Sequence, residues 1–359
     1  MAKIIFCGNF NPIHNGHLNM AKIASEQLNS DVIFVPSKVA IWKNDSIAPI
    51  HKINMLTEAI KNEPRFSINL YEINNIQDKV FSIDTINYLI NNFKDEKLYF
   101  LIGQDQVNHF HLWHKPDEIA NKIQIIYFER PENIIDSENI EKYHMQKVVG
   151  ELIDESSTAI RNFQSLNTPY SVIKYIEENN LYYIPKVKAY LDDKRYLHSV
   201  SVANLAYQIA TKHNKKQSYK YYMAGLLHDI GKNYSSEIEI MNKYFKNYLD
   251  VGKFAYHQFV GSYLIRRDFL INDENIIKAV KFHATGNANM SDLAKVVYAS
   301  DKIDPLRDYD SSELIKAMFN NNINNGFKIV LKANKDFLTS KNKSIYNKLT
   351  LKCFNQYLK

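Results

Sequence analysis

The chain has 359 residues, 45% hydrophobic and 23% charged, a globular balance that suits two domains better than one. No apolar run approaches membrane-spanning length, no tract is biased enough for disorder, and the opening Met-Ala-Lys does not read as a signal peptide. The formal charge of +6 is split unevenly: residues 1–185 hold 17 basic against 23 acidic side chains, and the remainder holds 28 against 16. The basic second half should prefer polyanions, nucleotide or RNA alike. Cys7 and Cys353 make neither a disulfide framework nor a cysteine zinc site, so a reducing cytoplasm is expected.

The first half alternates strand-like and helix-like segments. Apolar runs predict strands at Ile4–Cys7, Val32–Val35, Phe66–Leu70, Leu98–Ile102 and Ile123–Phe128. Helical spacing falls between them at His17–Leu28, Ile50–Asn62, Ser82–Asn92 and Pro116–Asn121. Continuous apolar strands separated by helices predict a mostly parallel sheet covered on both faces, with ligands beyond the carboxyl ends of the strands.

Three segments lie where such a site belongs. Gly8-Asn9-Phe10-Asn11-Pro12-Ile13-His14-Asn15-Gly16-His17 joins the first strand to the first helix. A turn of this kind offers backbone N–H groups and a helix N-terminus to phosphate, and histidines three apart can face one anion. Gly103-Gln104-Asp105 follows the fourth strand. Ser156-Ser157-Thr158-Ala159-Ile160-Arg161 sets hydroxyls at a helix start with an arginine inside it, a second phosphate-binding pattern.

Together with Ser82-x-Asp84-Thr85, Leu112-Trp113 and Asn180-Leu181-Tyr182-Tyr183, these segments resemble the bacterial nicotinate-nucleotide adenylyltransferases of the nucleotidyltransferase superfamily. The resemblance covers about residues 1–185 and implies a Rossmann-like domain that transfers adenylate from ATP to nicotinate mononucleotide. It assigns the triphosphate to His14 and His17, with His17 near the reacting phosphorus. Gly8, Asn9, Phe10, Asn11, Gly103, Asp105, Ser157, Thr158 and Arg161 complete the implied ATP site, with Mg²⁺ bridging phosphate oxygens. Lys43, Thr85 and Trp113 would meet nicotinate mononucleotide, the indole by stacking. The chain departs from the family pattern at Gly8-Asn9, at Asn11 in place of an aspartate, and at Trp42-Lys43. The histidines of His109-Phe110-His111-Leu112-Trp113-His114 are too tightly spaced for chelation from one face and are read as part of a substrate-contacting loop.

After Pro185 the pattern is helical throughout, which sets the domains at 1–185 and 186–359. His198, His228-Asp229, His257, His283 and Asp301 are spread along this half. A buried His-Asp pair is costly unless it coordinates something, and mixed imidazole and carboxylate donors suit iron, manganese or another first-row divalent ion. Arg195-Tyr196-Leu197-His198, Gly225-Leu226-Leu227-His228-Asp229, His257 with Gly261, His283-Ala284-Thr285-Gly286, Ala299-x-Asp301 and Asp304-Pro305-Leu306-Arg307 resemble the HD superfamily of phosphohydrolases. Within it they are similar to the symmetrical diadenosine-tetraphosphatases. That resemblance implies a metal core of His198, His228, Asp229 and Asp301, with Asp229 also catalytic. His257 and His283 would serve a second metal or the substrate phosphates, and Lys232 and Arg307 would contact the phosphates.

The chain is therefore expected to be α/β then all-α, a bifunctional cytoplasmic enzyme acting on ATP, nicotinate mononucleotide and diadenosine tetraphosphate. Membrane and nucleic-acid partners are not expected. Two other readings of the second half remain: hydrolysis of another nucleotide, and a non-catalytic nucleotide or RNA sensor.

Overall fold

The computed structural model describes residues 2–38, 47–76, 79–129, 137–307, 310–340 and 347–359. The chain divides into two compact units, residues 1–158 with 167–178, and residues 159–166 with 179–359.

The first unit is built on a parallel sheet of six strands: β1 Ala2–Gly8, β2 Ser30–Pro36, β3 Phe66–Ile68, β4 Leu98–Ile102, β5 Gln124–Phe128 and β6 Gln146–Val148. Their order is β3-β2-β1-β4-β5-β6. Ile4, Ile5 and Phe6 of β1 are all buried, because the strand is covered on both faces. The five expected strands form. The sixth is a three-residue edge strand whose Gln146 and Lys147 are exposed, so it shows no apolar run. Helices α1 Asn15–Gln27, α2 Pro49–Ile60, α3 Ser82–Asn92, α4 Gln104–His109 and α5 Ser157–Arg161 contribute to this unit, the last continuing past Thr158 into the second. Strand order reverses between β1 and β4, which puts the turn after Gly8 and the turn after Ile102 side by side. That is the crevice at which doubly wound sheets bind ligands.

The second unit is helical among its described residues. Its principal helices are α6 Asp193–Lys212, α7 Tyr219–Leu227, α8 Tyr256–Arg267, α9 Glu274–Phe282, α10 Asp292–Lys302 and α11 Ile323–Ser340. Asp192 starts α6 by accepting the Arg195 N–H, and Ser291 starts α10 by accepting the Ala294 N–H. Nearly all of α7 and α10 is buried, so these two helices form the interior of the unit, and residues at their ends are delivered to its centre. Gly231 lies against the backbone of His257 and Gly261, where a Cβ would collide with main-chain atoms. This close approach brings the turn after α7 down onto α8.

Candidate active sites in two units

In the first unit, β1 ends at Gly8 and the chain turns through Phe10, whose φ is +45°, to His14, the N-cap of α1. His14 Nδ1 accepts the His17 N–H at 3.4 Å, and the two rings stack with centroids 3.6 Å apart. Gly16 between them has no room for a side chain: a Cβ would sit 2.9 Å from the carbonyl oxygen of Ile153 and 3.0 Å from the His14 ring. His17 also meets the rings of Phe10 and Phe6 edge-on, at 5.1 and 6.1 Å.

The turn's carbonyls are held by residues far along the chain. Ser157 Oγ donates to Pro12 O and Thr168 Oγ1 to Ile13 O, both at 2.8 Å, while the Asn15 N–H donates to Asn167 O at 3.0 Å. Ser157 is thereby brought to the histidine turn. Exposed Thr158 follows it on α5, and Arg161 closes that helix beyond the passage into the second unit.

Other expected residues are committed differently. Gly8 O accepts the Ser37 N–H at 2.9 Å, and Phe10 and Asn11 are buried beneath the turn. Asp105 lies exposed in the first turn of α4, which Gly103 opens, and accepts from Gln106 Nε2 at 2.7 Å. Trp113 is half-buried against Phe110 and Phe100. Thr85 is fully buried, and its hydroxyl donates to Glu72 Oε1 at 2.9 Å. Burial raises the Glu72 carboxyl to about 7, against the opposing pull of Thr85, Cys7 and Lys52. Burial and the neighbouring Glu72 likewise push the Cys7 thiol up. Lys43 lies outside the described residues.

The histidines of 109–114 do not converge. His109 Nδ1 meets Asp105 O at 2.8 Å, His111 Nδ1 meets Asn139 Nδ2 at 3.0 Å, and His114 packs on Phe81. Sequence reasoning missed Lys52, Thr168 and Asn167. Lys52 had a signal, since it shares the helical spacing of the buried Met55, Leu56 and Ile60 on α2.

In the second unit, the residues spread over more than a hundred positions do converge. His198 stands on α6, His228 and Asp229 in the turn after α7, His257 on α8, His283 at the end of α9 and Asp301 on α10. Asp301 Oδ1 lies 3.2 Å from His198 Nε2 and 3.7 Å from His228 Nε2. Asp229 Oδ1 lies 3.4 Å from His257 Nε2 and 3.5 Å from His283 Nε2, and its Oδ2 lies 3.8 Å from His228 Nε2. Two ligand groups result, His198 with His228 and Asp301, and His228 with Asp229 and His283. In each, the donor atoms lie within 4.8 Å of one another.

These residues fit a divalent ion. His228 donates Nδ1–H to Gly225 O at 2.7 Å, while its buried Nε2 has no hydrogen-bond partner, a costly arrangement that a cation would relieve. Burial lowers His228 to about 4, so it is neutral and able to ligate at ordinary pH. Burial would raise Asp229, but the imidazoles of His228, His283 and His257 outweigh it and keep the carboxylate ionised. His198 is the exception: burial would lower it, yet Asp301 and Asp304 lift it to about 9. Lys232 Nζ lies 3.3 Å from the His257 ring nitrogens, and Arg307 Nη2 lies 2.6 Å from Asp301 Oδ1. Lys302, on the other Asp301 oxygen at 2.8 Å, was not singled out in the sequence, and Asp304 appeared there only as part of the Asp304–Arg307 string, with no role of its own.

A cytidylyltransferase-like family model matches residues 5–163, and an HD-domain model matches residues 195–306. The chain is 31% identical over 316 residues to a Mycoplasma genitalium protein named probable nicotinate-nucleotide adenylyltransferase/Ap4A hydrolase, spanning 85% of this chain and 87% of that one. A Mycoplasma pneumoniae protein of the same name is 26% identical, spanning 85% and 89%. The nicotinate-nucleotide adenylyltransferase of Bacillus subtilis is 34% identical over 192 residues, 51% of this chain and 99% of that one.

Proposed function

The chain belongs to the family of two-domain proteins that join a nicotinate-nucleotide adenylyltransferase to an HD-type hydrolase, and we propose that it catalyses both reactions. In the first, a phosphate oxygen of nicotinate mononucleotide attacks the α-phosphorus of ATP, deamido-NAD forms and pyrophosphate leaves. In the second, water attacks one of the two central phosphorus atoms of diadenosine tetraphosphate, the bridging P–O bond between the central phosphates breaks, and two ADP molecules result.

One observation carries this reading: the chain builds two separate constellations, each in its own compact unit. The stacked His14–His17 pair lies at the switch point of the parallel sheet with Ser157 beside it. The phosphates need alignment and charge neutralisation, and no residue has to form a covalent intermediate. His14 and His17 are the donors to the triphosphate, Ser157 and Thr158 serve its far end, and Mg²⁺ bound with the nucleotide would neutralise phosphate charge. Trp113 offers its ring to the pyridine, while the buried Thr85 has its hydroxyl committed to Glu72 and is not available to the nicotinate carboxylate in this arrangement.

In the second unit His198, His228, Asp229, His283 and Asp301 would hold a divalent ion such as iron or manganese. That ion would supply Lewis-acid activation of water and of a phosphoryl oxygen. Lys232 and Arg307 border these groups with positive charge suited to the leaving ADP. Among the described residues no helix is long and apolar enough to cross a membrane, and both cysteines are free thiols, which supports a cytoplasmic placement.

The test is a substrate panel on the parent, His17→Ala and Asp229→Ala. Loss of adenylyl transfer only in the first variant and of hydrolysis only in the second is the expected result. Retention of both activities in both variants would overturn the two site assignments. Hydrolysis of other nucleotides with diadenosine tetraphosphate left intact would replace the substrate and keep the site.

A further inference from the structure

The imidazoles around the acidic pair of the second unit are not all held alike. His228 and His283 each donate Nδ1–H to a main-chain carbonyl one turn back, Gly225 O and Val280 O, both at 2.7 Å. Those acceptors are neutral peptide oxygens. His198 is different: its Nδ1 lies 2.5 Å from Oδ2 of Asp304. Asp304 is fully buried, and its other oxygen accepts from Ser201 Oγ and from the Leu306 N–H. Ser201 stands three residues beyond His198 on α6, so one helix face presents both the imidazole and the hydroxyl to the same carboxylate. A buried carboxylate is costly unless its lone pairs are met, and here they are met on both oxygens.

Resting on the hydrolase reading, we propose that Asp304, braced by Ser201, is a positioning residue for His198. It holds the imidazole with its Nε2 beside Asp301 Oδ1, where the two can turn to a shared cation, and its charge makes His198 a stronger donor to a divalent cation than His228 or His283. Asp304 itself touches neither cation nor substrate. A carboxylate behind a ligating imidazole raises its basicity as well as orienting it, and losing such a partner typically costs about 10–100-fold in metal affinity.

The test uses the full chain, stripped of metal and titrated with Co²⁺ or Mn²⁺ by calorimetry, with the visible Co²⁺ spectrum as a second readout. Asp304→Asn keeps an oxygen for Nδ1–H but removes the charge, so Co²⁺ affinity should fall about 10–100-fold with a shifted spectrum. Nitrogen NMR of His198 should still report the same tautomer in this variant. Asp304→Ala should lose both the affinity and the single tautomer, Asp304→Glu should recover part of each, and Ser201→Ala should weaken Co²⁺ binding to a lesser degree. Should an Asp304 variant fail to fold, Ser201→Ala decides the question. Affinity and spectrum unchanged in Asp304→Asn and Ser201→Ala, while His228→Ala no longer binds, overturns the proposal and leaves the metal centre standing. A parent chain that binds neither ion overturns the metal centre and the proposal together.

Discussion

Lys52 Nζ lies 3.1 Å from the side-chain oxygen of Asn9, with the carbonyls of Ser37 and Lys38 at 2.6 and 3.3 Å. Lys52 is fully buried, so its ammonium binds the end of β1 to the segment that follows β2, beneath the turn that carries His14 and His17. Lys52→Met keeps the stem and removes the charge and its three acceptors' donor. The variant should lose about 2 kcal/mol of stability, the cost of leaving a buried carbonyl unmet. It should also raise the KM for ATP while hydrolysis stays at the parent level. Thermal unfolding and steady-state assays of both reactions check this; an unchanged KM would refute the positioning role.

Glu72 gives a pH dependence with a definite sign. Its carboxyl rises from 4.5 to about 7 on folding, because it is buried. Below the lower value it is neutral in both states and costs nothing. Between the two values the unfolded chain ionises while the folded chain keeps its proton, and stability drains away, reaching its full loss above about 7. At about 1.4 kcal/mol per pH unit the loss is on the order of 3 kcal/mol. Glu72→Gln retains an oxygen for the Thr85 hydroxyl and does not titrate. Its stability relative to the parent should therefore improve steadily from pH 4.5 to 7 in denaturant titrations. Parallel curves for the two proteins across that range would contradict the assignment.

His14 and His17 should separate in stability, although both serve the same reaction. His14 caps α1, and His17 does not. His14→Ala should therefore cost about 1 kcal/mol of stability as well as adenylyl transfer. His17→Ala should abolish transfer and, losing ring packing on His14, Phe10 and Phe6 but no helix cap, should cost less stability than His14→Ala. Calorimetry alongside activity distinguishes the two; equal destabilisation would count against the capping role.

Gly231 offers a steric test of the second centre. A Cβ there would meet the backbone of His257 and Gly261, and neither can yield as a flexible side chain would. Gly231→Ala should push the turn bearing His228 and Asp229 away from α8, at about 1–3 kcal/mol for overpacking. Metal binding and hydrolysis should fall together while adenylyl transfer persists. Hydrolysis at the parent level in this variant would show that the close approach is dispensable.

Chelation should likewise divide the activities. Metal removed by a chelator and followed by Mg²⁺ alone should restore transfer but not hydrolysis. Adding back Mn²⁺ or Fe²⁺ should restore hydrolysis and raise the melting temperature with concentration, as binding to the folded state requires. A melting temperature independent of added metal would argue against the buried donor set as a cation site.

The sequence by itself determined the architecture: continuous apolar strands alternating with amphipathic helices, then helices alone, because burial on two faces or on one stripe leaves its period in the chain. It also marked both constellations, since Gly8–His17, His228-Asp229 and Asp301 are short, chemically unusual strings. The edge strand Gln146–Val148 left no such trace, because an exposed strand needs no apolar run. Only the tertiary structure decided which partners hold those strings. Thr168 and Asn167 fix the histidine turn across some 150 residues of chain, Lys52 ties two strand ends, and Asp304 stands behind His198. Each is a common residue whose importance comes from hydrogen bonds formed across the fold, and hydrogen bonds between distant segments leave no period in the sequence.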